Sequence, residues 1–194
     1  DLTRAWKIWT GSIMRALAST LSLAMALVGC AQKTDEFGFR ILEAQANLNQ
    51  AQISATLSQQ LQLSEEAVTA LRHGIELTLL IDLELRSAPE GALLAAQQDS
   101  FRIQYLPLSQ HFRLERSGTL RAFTYPRLRH ALSEISNPKV TLNSGKLEPG
   151  TYQMRARTRL DKSSLPTPMR LPAFFSADWQ HASEWYSWPL KVTA

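Results

Sequence analysis

The chain has one cysteine in 194 residues, Cys30. That excludes an intramolecular disulfide and any zinc site built on paired cysteines. Eight glycines are scattered along it, with no glycine-rich phosphate loop. There is no G-x-S-x-G elbow and no H-E-x-x-H pair. The four histidines, His73, His111, His130 and His181, have no second ligand at a metal-binding spacing. No metal and no cofactor is therefore expected. There is no dense Lys/Arg run either. Of the net charge of +4, half lies in the first 30 residues, where Arg4, Lys7 and Arg15 face only Asp1. What is left is too weakly basic to argue for nucleic acid. No internal repeat or low-complexity tract is visible.

What is present begins with a leader. Met14-Arg15 precede Ala16–Val28, an uncharged run of small and apolar residues, and Gly29-Cys30 follow. A positive start, a short apolar middle and a small-residue cleavage site are the three parts of an export signal. The apolar segment falls short of the roughly 20 residues that cross a bilayer. Leu27-Val28-Gly29-Cys30 resembles the bacterial lipobox, in which the cysteine is acylated and becomes the mature N-terminus. The expectation is a signal peptide over residues 1–30, lipidation at Cys30, a polar tether over 31–38, and one domain over 39–194. Ala31 after the cysteine, by resemblance to enteric-type sorting, points to the periplasmic side of the outer membrane. The alternative is cleavage after Ala31 and a soluble periplasmic or secreted protein.

Hydrophobic residues make up 44% of the chain and charged residues 20%, a globular balance. Two-residue alternation dominates. Leu42, Ala44, Ala46 and Leu48 alternate with polar residues, as do Ile53, Ala55 and Leu57; Asn49-Gln50 between them predicts a hairpin. Ser64-Glu65-Glu66 caps a helix that Gly74 ends, with Val68 and Leu71 inward. Ile75–Leu85 is the clearest strand, apolar on one face and mostly acidic on the other through Glu76, Asp82 and Glu84. Ala88–Asp99 reads as a loop with a helical turn at Leu93–Gln97. Phe101–Tyr105 and Phe112–Leu114 form a strand pair, and Ser117-Gly118 leads to a short strand through Leu120 and Phe123. Pro126 opens a second helix carrying Leu128, Ala131, Leu132 and Ile135, and Asn137-Pro138 closes it. Tyr152–Leu160 is a strand whose outer face is Arg155, Arg157 and Arg159. Leu165–Pro172 reads as an extended, proline-rich segment, Ala177–His181 as a helical turn, and Trp185–Leu190 as a last strand. The sum is a mainly β fold of seven to nine strands with two short helices: an antiparallel β-sandwich or curled sheet.

Several of these landmarks occur together in a known family. They are the helix ending at Gly74 and leading into Ile75–Leu85; Phe101–Leu114; Leu147–Gly150 followed by Tyr152–Asp161; Leu165-Pro166-Thr167-Pro168; and Asp178-Trp179 with Ser183-Glu184-Trp185-Tyr186. In order and spacing, from Ala44 to Leu190, the chain resembles the proteobacterial "domain of unknown function 4390". The resemblance implies export and a compact periplasmic domain, for some members beside a nitrogen-regulation-type sensor kinase. It implies no activity and no catalytic residue. Cys30 departs from the usual members.

Two constellations are candidates for function. Arg155, Arg157 and Arg159 could clamp an anion, or could be neutralised by Glu76, Asp82 and Glu84 if the two strands are neighbours. Trp179, Trp185 and Trp188, with Tyr186, could stack on sugar rings or cap the core; alternation sends Trp185 and Trp188 to opposite faces. The leading expectation is a non-enzymatic envelope lipoprotein. It would be held at a membrane through Cys30 and act as a binding or accessory module for another envelope protein, such as a sensor kinase. The alternative is a carbohydrate- or anion-binding periplasmic protein.

Overall fold

The computed structural model describes residues 37–193. The expected export signal, Cys30 and nearly all of the tether lie outside the described residues. Nine strands and three α-helices follow one another: β1 (Gly38–Asn49), β2 (Gln52–Gln62), α1 (Glu65–Arg72), β3 (Leu77–Ser87), β4 (Leu93–Leu106), β5 (His111–Arg116), β6 (Ala122–Tyr125), α2 (Leu128–Ser136), β7 (Lys139–Asn143), β8 (Gly150–Leu160), α3 (Thr167–Phe175) and β9 (Tyr186–Val192). They form two antiparallel sheets, β1-β2-β7 and β6-β5-β4-β3-β8-β9. Neither sheet closes into a barrel.

The inner faces of both sheets bury one cluster. Leu77, Leu79, Ile81, Leu83 and Leu85 of β3 are wholly buried, as their strict alternation requires. Ile53, Ala55 and Leu57 of β2 and Met154 and Ala156 of β8 join them, with Leu71 of α1 and Ala131 and Ile135 of α2. Burying a leucine or isoleucine side chain contributes roughly 1.5–3 kcal/mol. β3, in the middle of the larger sheet, is thus the spine of the fold. One polar link crosses the core. Gln59 of β2 accepts a hydrogen bond from the Thr158 hydroxyl of β8 (2.6 Å) and donates to the Ile135 carbonyl of α2 (2.7 Å). Three elements are thereby tied at one buried side chain whose amide oxygen and nitrogen are both bonded.

The structure corrects several expectations. Leu42 does not share a face with Ala44, Ala46 and Leu48: it is 55% exposed. A bulge between Ile41 and Glu43 moves the inward set from Phe39 and Ile41 to Ala44, Ala46 and Leu48. Leu93–Gln97 is not a helical turn in a loop but the start of β4, hydrogen-bonded to β3 from Arg86 back to Leu83. Its Leu, Ala and Gln residues favour helix, and pairing with the central strand overrides that preference. Leu120 stands outside β6, wholly exposed. Pro126 precedes the α2 cap, Arg127. β7 is an unforeseen strand, placing Val140 and Leu142 inside beside Ala55 and Ile53.

The segment predicted as extended at Leu165–Pro172 instead forms α3, giving three helices rather than two. Pro168 sits in its first turn, where no N–H is needed. Pro172 lies inside the helix, and the helix ends three residues later at Phe175.

Candidate functional site

The outer face of the larger sheet is organised around Asp82. In register, Asp82 of β3 faces Arg157 of β8 on one side and Gln98 of β4 on the other. Its carboxylate accepts hydrogen bonds from Gln98 Nε2 (2.6 Å), Arg159 Nε (3.0 Å) and an Arg157 guanidinium nitrogen (3.2 Å). Burial pushes the Asp82 carboxyl up, but the hydrogen bonds from Gln98 and Arg159, with the Arg159 charge and Arg157, outweigh it and hold the group below its ordinary 3.8. β3 and β8 are therefore neighbours, and the acidic face meets the basic one. Of the three acids expected to pair with the stripe, only Asp82 does. Glu76 pairs with Arg102 (3.0 Å), and Glu84, directly opposite Arg155, turns to Arg86 (2.9 Å).

Trp185 covers Arg155, one end of the stripe, and Arg157 at its middle. β8 and β9 pair Ala156 with Tyr186, and Trp185 immediately precedes β9 there. The Arg155 and Arg157 guanidinium carbons lie 4.4 and 4.6 Å from the centre of its ring. Such contacts contribute about 0.5–1 kcal/mol each at partly exposed sites. The Nε atoms of both arginines are buried and make no hydrogen bond. Among the described residues Arg155 has no carboxylate partner. Asp82, Glu84, Gln97, Arg157, Arg159 and Trp185 line a shallow groove of about 410 Å³.

Trp179 and Trp188 lie elsewhere. Trp179 is 2% exposed, part of the core, and its indole N–H donates to Glu66 of α1 (2.9 Å). Trp188 stands opposite Met154 and packs against the core with Tyr186. The expected alternation of Trp185 and Trp188 holds. The three tryptophans do not form one surface: Trp185 alone joins the arginines.

A second feature was not foreseen. His181, in the segment between α3 and β9 where Ala182 bridges to Arg159 of β8, is 2% exposed, and its Nε2 accepts the backbone N–H of Ser64, the α1 cap (2.8 Å). The rings of Phe37 and Phe39 lie 5.3 and 5.4 Å from it. Burial pushes the imidazole pKa down to about 4, against weaker opposing pulls from the Trp179 backbone and Asp178. The ring is therefore neutral at physiological pH, with its proton on Nδ1. His181 also lines a cavity of about 390 Å³ with Arg159, Lys162, Arg170, Phe174 and Trp179. Nothing in the local sequence signals this role, because Ser64 is 117 residues away.

Among the described residues no three His, Cys, Asp or Glu side chains converge to hold a metal. No described helix is long and apolar enough to cross a membrane. No curated protein and no solved structure matches the chain. The family described as "Domain of unknown function (DUF4390)" matches residues 36–189. With the helix–strand order and the aromatic C-terminal strand in place across that span, the chain belongs to this family.

Proposed function

We propose that the protein is an envelope lipoprotein, held at a membrane through an acylated Cys30, whose β-sandwich serves as a binding or accessory module for another envelope protein. One observation carries the second half of this reading: the domain displays large apolar side chains rather than convergent polar groups. Leu120 and Phe123, beside and within the edge strand β6, are 108% and 55% exposed, while Arg157 and Arg159 are already paired internally with Asp82. Exposed apolar patches of this kind mark interaction surfaces. The first half rests on the short apolar run that ends at a lone cysteine preceded by glycine. A sensor kinase of the same envelope is the partner that the family resemblance suggests.

The anchor is tested by Cys30→Ser in cells. The wild-type protein is expected in the membrane fraction and the variant in the soluble periplasm; an unchanged distribution rejects the anchor. The partner is tested by crosslinking in intact cells from cysteines placed at Phe123 and at Glu90. Adducts with one envelope protein from position 123 alone support the reading, and equal or absent adducts count against it.

One observation favours a second reading, a binder of anionic sugars. Arg155 is stacked on Trp185 and has no carboxylate, and the same Trp185 lines the groove, which leaves an uncompensated guanidinium and an aromatic face at its border. Titration with acidic oligosaccharides, followed by Trp185 fluorescence and compared with Arg155→Gln, separates the two.

A further inference from the structure

We infer that the Leu171–Phe174–Phe175 face of α3 lies on a phospholipid bilayer and seats the domain there by one defined end. The inference rests on the proposed lipid at Cys30. Leu171, Phe174 and Phe175 stand at i, i+3 and i+4, so they form one stripe. They are 73%, 62% and 81% exposed. The opposite side of α3, through Met169 and Ala173, packs on the core. The stripe is therefore surplus to folding.

Two cations border it. Lys162 Nζ lies 5.0 Å from the centre of the Phe174 ring, and Arg170 adjoins Leu171 with its Nε held by the Leu165 carbonyl (2.8 Å). Among the described residues neither is in an ion pair, whereas Asp161 is occupied in capping its own turn through Ser163. Phenylalanine and leucine flanked by long cationic side chains is the pattern of an interfacial element, whose apolar part enters the head-group boundary while the cations stay among the phosphates.

The length of the tether says what covers this face. From Cys30 to Phe37 the chain spans at most about 25 Å, at roughly 3.5 Å per residue. Phe37 packs on His181, and His181 shares a cavity with Phe174. Gln180, the neighbour of His181, donates to the Phe174 carbonyl (3.0 Å). The chain thus enters the domain beside α3. An acylated Cys30 holds that end within reach of the bilayer. The β3–β4 hairpin is at the other end of the sheet, since Leu79 pairs with Leu160 and Ser87 with Tyr152.

The test uses the full chain with a solvent-sensitive dye on Phe175→Cys, reconstituted in phosphatidylethanolamine–phosphatidylglycerol vesicles that carry nitroxide-labelled lipid. The control dye is on Glu90→Cys in the hairpin. On sedimented vesicles the dye at 175 is expected to shift to the blue and to be quenched several-fold more than the dye at 90. Equal quenching, or a dye at 175 that stays in water on vesicle-bound protein, overturns the inference and leaves the anchor intact. Shielding at 175 only when an envelope protein is added also overturns it, in favour of a protein partner on this face. A chain absent from the vesicles overturns both.

Discussion

The Ser64 backbone N–H donates to the Nε2 of His181 across 2.8 Å, so the imidazole completes the cap of α1 from the far end of the chain. The ring can accept this bond only while Nε2 carries no proton. Folded His181 titrates near 4, against about 6.5 when unfolded. Between these values the unfolded chain binds a proton that the folded chain refuses. The contribution to stability is therefore complete above about 6.5 and is lost as the pH falls toward 4, on the order of 3 kcal/mol in all. Urea midpoints of the wild type are expected to fall between pH 7 and 4.5. A His181→Gln variant is less stable at pH 7 but has a shallower pH slope over this interval. Parallel slopes would remove His181 as the cause.

The Gln59–Thr158 bond predicts a coupled pair. Gln59→Ala leaves the Thr158 hydroxyl and the Ile135 carbonyl without partners in a dry core and is expected to cost about 2–4 kcal/mol. Thr158→Val removes the hydroxyl at similar volume, at about 1–2 kcal/mol. Because each change already breaks the shared bond, the double variant is expected to lose at least about 1 kcal/mol less than the sum. Denaturant unfolding of the four proteins checks this; strict additivity would show that the two residues contribute separately.

Asp82 is the counter-charge for the arginine stripe. Asp82→Asn keeps the shape but leaves Arg157 and Arg159 facing each other, and the expected loss is about 1–2 kcal/mol, larger at low salt. The same variant frees the stripe to bind an added anion. If sulfate at moderate concentration restores the variant more than it raises the wild type, Asp82 occupies the place of an anionic ligand. An equal response of the two proteins means that the stripe is purely structural.

The strands with strict alternation were legible because each of their residues meets one fixed environment. β3 and β8 are such strands, and the acidic and basic faces could be read from them. Their register could not: the sequence offers Glu76, Asp82 and Glu84 alike, and only pairing decides that Asp82 meets the arginines. Trp185 over Arg155 and Arg157 was hidden for the same reason. The misreadings have local causes. A bulge at Leu42 breaks the period within β1. β7 has only Val140 and Leu142 to announce it. In α3 the prolines suggested an extended chain, yet one lies in the first turn and the other near the end, where a short helix tolerates them. His181 and Ser64 are joined by nothing that a local pattern can carry.

The segment Leu93–Gln97 offers a test of sign. Its composition favours helix, yet it is a strand paired with β3 along one side, and Ala96 lies exposed opposite Glu84. On a helix, threonine is worse than alanine by a few tenths of a kcal/mol, because its branched side chain crowds the preceding turn. On a strand the order reverses, because the branched side chain fits the pleated surface. Ala96→Thr is therefore expected to stabilise the protein by about 0.5 kcal/mol, and Ala96→Gly to destabilise it by about 0.5–1 kcal/mol. The gain should appear as a higher denaturation midpoint with an unchanged slope, since the surface exposed on unfolding is the same. A loss of stability in Ala96→Thr would mean that this stretch leaves the sheet in solution. Gln98 would then be withdrawn from Asp82, which would keep only its two arginine partners.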